Sequence, residues 1–249
     1  MLVPAVGAGW GLTEAWVVIV KTVHGSADNW LSQRRLRRCP SNLSAVIDYA
    51  PAYYDPMDTE HVTASICEEL ERQPLMLLDL VLPRFDGSGL YAIYYAGKKV
   101  PLYKAISGRK IPVYVGRAMS HNSATGIAVA ESTPLWRRVR DHRASIEGSD
   151  LPIAEFGVRL LRMPDVHADL GENGLRVFYK PVWNAILSGF GSHEQGSTTR
   201  QGARSKWDTV HPGRNRTYGA DSHDRDALVE AVQAHIATQL DSYGDAPWH

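Results

Sequence analysis

Two cysteines, no net charge and no apolar run long enough to span a bilayer are what this 249-residue sequence offers, and each shortage excludes something. Cys39 and Cys67 provide neither a disulfide framework nor a zinc-binding spacing, and so sparse a use of cysteine fits a reducing cytoplasm. The apolar stretch Ala15 to Val20 falls far short of the roughly 20 residues a membrane helix needs. Met1 to Val23 lacks the basic start of a signal peptide and is interrupted by Glu14, so neither export nor membrane insertion is expected. That segment has no clean periodicity and reads as a poorly ordered extension or as a start assigned too far upstream. With a formal net charge of zero, total charge says nothing about partners, and only its distribution can.

The distribution is uneven. From Asp48 to Asp86 the acids are Asp48, Asp55, Asp58, Glu60, Glu68, Glu69, Glu71, Asp79 and Asp86, against Arg72 and Arg84. From Ala92 to Ala130 acids are missing altogether, while Lys98, Lys99, Lys104, Arg109, Lys110 and Arg117 are present. Arg137, Arg138, Arg140 and Arg143 follow, and Arg200, Arg204, Lys206, Arg214 and Arg216 form a further cluster. A neutral protein with basic blocks of this kind can present a face to a polyanion. Apolar residues make up 44% and charged residues 22%, enough to bury a core, and the length fits one domain with appendages or at most two small domains.

Pattern gives the elements. Asp58 or Thr59 caps a helix carrying Val62, Ile66 and Leu70. Gly89 to Tyr95 and Lys110 to Val115 are β-like, joined as a hairpin by a long basic connection over Gly97 to Gly108. Ser132-Thr133-Pro134 starts a helix with a hydroxyl cap and a first-turn proline. Glu155 to Met163 alternates Phe156, Val158 and Leu160 as a third strand. Asp165 to Tyr179 reads as a helix, weakened by Gly171 and Gly174. A short helix begins near Pro181, and Arg225 to Leu240 is amphipathic. The order predicts an α/β (α+β) fold, a small mixed three-stranded sheet flanked by helices. The expected organisation is an extension over 1–42, a main domain over 43–220 with basic insertions and tail, and a C-terminal helix and tail over 221–249.

Chemistry enters with Gly89-Leu90-Tyr91 and Tyr114-Val115-Gly116. Alone these are ordinary strand residues. Arg138 and His142 lie four apart on the predicted helix, beside its apolar stripe, where an arginine can hold a phosphate and a histidine can relay a proton. Glu172 is a single carboxylate, enough for a magnesium ion that keeps most of its waters. Asn184 follows in Pro181-Val182-Trp183-Asn184.

Taken in order, Gly-Leu-Tyr, Tyr-Val-Gly, Arg-x-x-x-His, Glu and Asn resemble the GIY-YIG nuclease superfamily over roughly Gly87 to Gly191. The match extends through Gly189-Phe190-Gly191-Ser192-His193 and Trp207-Asp208-Thr209-Val210-His211-Pro212-Gly213-Arg214. That longer pattern is similar to the type II restriction endonucleases of this superfamily that cut CCGCGG. Leu90 and Val115 replace the two isoleucines, both conservatively.

The resemblance implies metal-dependent hydrolysis of double-stranded DNA. Tyr91 would be the base beside the attacking water. A free phenol has a pKa of about 10, so a neighbouring cation is expected to favour its phenolate: the metal, His142, Lys104 or Lys110. Tyr114 would bond a phosphate oxygen, Arg138 would stabilise the transition state, Glu172 would hold one Mg2+, and Asn184 would orient the site. Lys98, Lys99, Lys104, Arg109, Lys110, Arg117, Arg200, Arg204, Lys206 and Arg214 are the DNA-binding candidates, with the loop Ser120 to Gly126. A palindromic target implies a homodimer, and a restriction enzyme implies a cognate methyltransferase as genetic partner. The competing readings are a homing or repair nuclease of the same superfamily and a non-catalytic nucleic-acid-binding module.

Overall fold

A computed structural model describes residues 52–55, 57–121, 125–128, 132–192, 201–219, 223–246 and 248. The extension expected over 1–42 lies outside the described residues. The elements below belong to the compact unit Tyr53–His249.

Helix α1 runs Thr59–Arg72, and Asp58 caps it by accepting from the His61 amide. Strands β1 (Met76–Leu77), β2 (Gly89–Tyr95), β3 (Tyr114–Ala118) and β4 (Phe156–Arg162) form one sheet in the order β1-β4-β2-β3. Helices α2 (Pro134–Glu147), α3 (Asp165–Tyr179), α4 (Val182–Ala185), α5 (Lys206–Val210) and α6 (Arg225–Asp241) complete the described set. The α+β class stands, with two differences in the sheet. A fourth strand joins it, and every pairing is antiparallel. Strand β1 is only two residues long, too short to carry an alternation that a sequence can display.

All seven residues of β2 are buried because the strand is central and covered on both faces. Its connection to β3 contains a 3-10 turn, Pro101–Ile106. Strand β3 starts at Tyr114 rather than Lys110: Pro112 has no amide to give a ladder, and regular pairing follows it. Thr133 occupies the N-cap of α2 without the expected side-chain capping bond. The Leu135 amide instead bonds Gly87 O at 3.2 Å, and the Gly87 amide bonds Ser132 O at 2.7 Å, tying the helix start to the turn before β2. In α3, a Cβ on Gly174 would lie 2.2 Å from Thr63 Cγ2 and one on Gly171 would lie 2.6 Å from Ile66 Cγ2. These glycines cost helix propensity and permit close packing on α1. Helix α6 buries Val232, Ile236 and Gln239, and Gln239 donates to Tyr179 O at 2.6 Å. Among the described residues no helix is long and apolar enough to cross a membrane.

Candidate active site

The two glycine–tyrosine segments meet in one ladder. Tyr91 pairs with Gly116, and Ile93 pairs with Tyr114. Paired residues share a face, so both tyrosines point to the same side, with ring centroids 6.2 Å apart. Gly116 makes room for this: a Cβ there would lie 2.3 Å from Tyr91 Oη.

Helix α2 brings His142 onto that face. Tyr91 Oη and His142 Nε2 are 2.6 Å apart, with Tyr91 1% and His142 0% exposed. A neutral phenol donates in this contact and Nε2 accepts. Burial pushes the Tyr91 phenol well above its ordinary range and Tyr114 adds to the rise, while the Arg138 guanidinium opposes it by charge and hydrogen bonding. Tyr114 is raised as well, by burial, against the pull of Arg138, the bond to Tyr91 and Arg176. Among the side chains around it, burial of the Tyr91 phenol outweighs the one guanidinium of Arg138 at the helix surface, and the neutral form is favoured. Neither expected lysine has a recorded role at Tyr91: Lys104 is exposed on the connection, and Lys110 Nζ lies 3.5 Å from Glu71 Oε2.

The floor of this cluster is Phe190. Its ring stacks on His142 at 4.7 Å and 16°, and meets Tyr114 edge-on at 4.9 Å and 74°. A Cβ on Gly191 would lie 2.3 Å from Tyr114 Oη, so glycine keeps that hydroxyl clear. Arg214 fixes the segment, donating to Phe190 O and Gly189 O, each at 3.2 Å. Its guanidinium also clasps Asp208 at 2.6 and 2.8 Å, and Asp208 accepts from Ser205 Oγ at 2.6 Å.

Glu172 approaches from the other face. Arg117 pairs with Leu90 in the ladder, one position off the tyrosines, and so faces α3. There it forms ion pairs with Glu172 and Asp169. Because β3 is an edge strand, the two faces communicate around it: Arg176 lies 3.8 Å from Glu172 Oε1 and its charge is felt at Tyr114. Asn184 grips the backbone of Val115, accepting from its amide at 2.8 Å and donating to its carbonyl at 3.0 Å, next to Tyr114. Tyr91, Tyr114, Arg138 and His142 are thus brought into one cluster. Glu172 stands around the β3 edge, and Asn184 stands behind the strand.

A family model described as the Eco29kI GIY-YIG domain matches residues 83–240. The chain belongs to this family of restriction endonucleases. It is a type II site-specific deoxyribonuclease, a hydrolase whose substrate is DNA. No curated protein matches the chain.

Nucleases of this family use a divalent metal, and the donor set of this member can be tested against one. Glu172 is 8% exposed and offers hard oxygen donors. Among the described residues no group of three or more His, Cys, Asp or Glu could hold an ion. A lone carboxylate of this kind can serve a divalent ion that keeps most of its water.

The basic candidates separate into kinds. Lys98, Lys99, Lys104, Arg109 and Lys110 are exposed on the β2–β3 connection. That connection is held by Glu155, which accepts from the amides of Lys98 and Lys99 at 3.1 and 2.9 Å, leaving their side chains outward. Arg204 stacks over Tyr218 at 5.3 Å, and Lys206 opens α5 half-buried. Arg214 differs from these: its side chain is 5% exposed and committed to Asp208. Arg117 is likewise engaged by Glu172 and Asp169. Arg200 lies outside the described residues, as do 122–124 of the loop Ser120 to Gly126. The start of that loop is anchored by Asp165, which accepts from the Ser120 and His121 amides at 3.0 and 3.1 Å. Phe190 and the Asp208–Arg214 clasp were missed as site residues. The signal for them was an aromatic flanked by two glycines, followed by a compact polar block.

Proposed function

We propose that this restriction endonuclease cuts both strands of a short G·C-rich palindrome, CCGCGG, as a homodimer that uses one Mg2+ per active site. The observation that carries the reading is the buried Tyr91–His142 hydrogen bond beside Tyr114 and Arg138. Water attacks phosphorus in line with the leaving oxygen. As the new P–O bond forms, Tyr91 Oη takes the water proton and passes its own to His142 Nε2, and the P–O bond to the leaving oxygen breaks. The relay answers the difficulty of a phenol held neutral by burial, because no free phenolate has to accumulate. Phe190 keeps the imidazole flat against the floor and Nε2 aimed at Tyr91.

Tyr114 donates to a non-bridging phosphate oxygen. Arg138, exposed at the mouth, stabilises charge that grows on the phosphate, an effect of about 3–4 kcal/mol when preorganised. Glu172 would hold the Mg2+, which when bound polarises the phosphate and stabilises the leaving oxygen. Asn184 fixes β3 and so the position of Tyr114. The exposed basic connection contacts the duplex, where arginine and lysine suit guanine edges in the major groove. A palindrome read on both strands calls for twofold symmetry. A cognate methyltransferase would protect the host's own sites, and the cytoplasm is where such a pair acts.

Glu172→Ala tests the metal assignment. Cleavage should fall by about a thousandfold or more, since the ion supplies several kcal/mol, while DNA binding in Ca2+ stays near wild type. Retained cleavage would refute the assignment.

A further inference from the structure

Arg117 is placed three residues after Tyr114, yet it does not share the tyrosine face. Its Nη1 pairs with Glu172 Oε2, and its Nη2 lies 2.9 Å from Asp169 Oδ1. Asp169 and Glu172 are three residues apart on α3 and so present their carboxylates side by side. One guanidinium fork therefore bridges two carboxylates of unequal exposure: the Glu172 side chain is 11% exposed and that of Asp169 is 53%. Among the described residues Arg117 Nε is buried with no hydrogen-bond partner, and the ion pairs of this cation there are those two.

We propose that Arg117 is the resident counter-ion of Glu172, which an incoming divalent cation must displace, and that Asp169 receives the guanidinium when it leaves. The proposal rests on Glu172 as the metal ligand. A guanidinium and a divalent ion at one carboxylate oxygen crowd and repel each other, so the apparent metal affinity falls by the fraction of time that Arg117 occupies it. In exchange, Arg117 keeps a nearly buried carboxylate compensated and aimed before metal arrives; leaving such a charge unpaired is costly. Arg176, at 3.8 Å from the other oxygen, is the looser partner. Arg117 is thus a positioning residue for the metal site, not a DNA-reading one.

The test is Mn2+ binding to the full chain without DNA, followed by the electron paramagnetic resonance signal of free Mn2+. Arg117→Gln should tighten binding on the order of fivefold, the scale of a partly exposed ion pair. Asp169→Asn should act in the opposite direction and weaken binding, because Arg117 then has Glu172 alone. Glu172→Gln should lose the site. Unchanged or weaker binding in Arg117→Gln, with Glu172→Gln still defective, would overturn the counter-ion role and leave the metal ligand in place. Wild-type binding in Glu172→Gln would remove the metal from Glu172 and the proposal with it. Thermal unfolding checks that each variant is folded. If Arg117→Gln is not, Asp169→Asn decides, since it alters an exposed side chain: unchanged or tighter binding there overturns the proposal.

Discussion

The base form of Tyr91 is scarce and its surroundings make it scarcer, and that is the chemical difficulty the site has to resolve. Its burial favours the neutral phenol, and the exposed Arg138 offsets only part of that. His142, 2.6 Å away, offers the proton somewhere to go. If the two act as one relay, Tyr91→Phe and His142→Gln should each slow single-turnover cleavage by about 10²–10⁴, the range of general acid–base catalysis. The double variant should then be no slower than the worse single one. Losses that multiply would mean separate roles. The identities of Tyr91, Tyr114, Arg138, His142, Glu172 and Asn184 were legible as an ordered set. Their partnerships were not. The Tyr91–His142 contact joins residues 51 apart, and sequence alone leaves His142, Lys104 and Lys110 as equal candidates for it.

At the level of elements, long periodic segments were readable and short or context-driven ones were not. Helices α1, α3 and α6 and the β2–β3 hairpin follow from spacing, caps and β-formers. Strand β1 exists because Met76 and Leu77 find Val158 and Gly157 at the sheet edge, a tertiary event with no sequence period. By charge alone the tail Arg200 to Arg216 reads as a DNA-binding segment. Folded, Asp208 neutralises Arg214 and the pair props Phe190 under His142. Arg214→Ala leaves the buried Asp208 short of its main partner and should cost about 3–5 kcal/mol of stability, read from a urea midpoint. The salt dependence of DNA binding should keep its slope, because no phosphate contact is lost. A shallower slope at unchanged stability would return Arg214 to the DNA interface.

Over the whole molecule, zero net charge hides a division of labour. Exposed lysines and Arg109 crowd the β2–β3 connection, whereas Arg117 and Arg214 are turned inward to hold Glu172 and Asp208. Sequence showed where the basic residues are but not which way they face, since direction depends on strand register and on acids far along the chain. Register places Arg117 opposite Leu90 and off the tyrosine face. The proposed enzyme would use one buried proton relay, one carboxylate for a hydrated ion and an outward basic connection for the duplex. The direct test is a plasmid digest with Mg2+, with EDTA as control, followed by sequencing of the cut ends. The account predicts Mg2+-dependent breaks in both strands at every CCGCGG and nowhere else. Breaks scattered over unrelated sequences, or breaks that persist in EDTA, would contradict it.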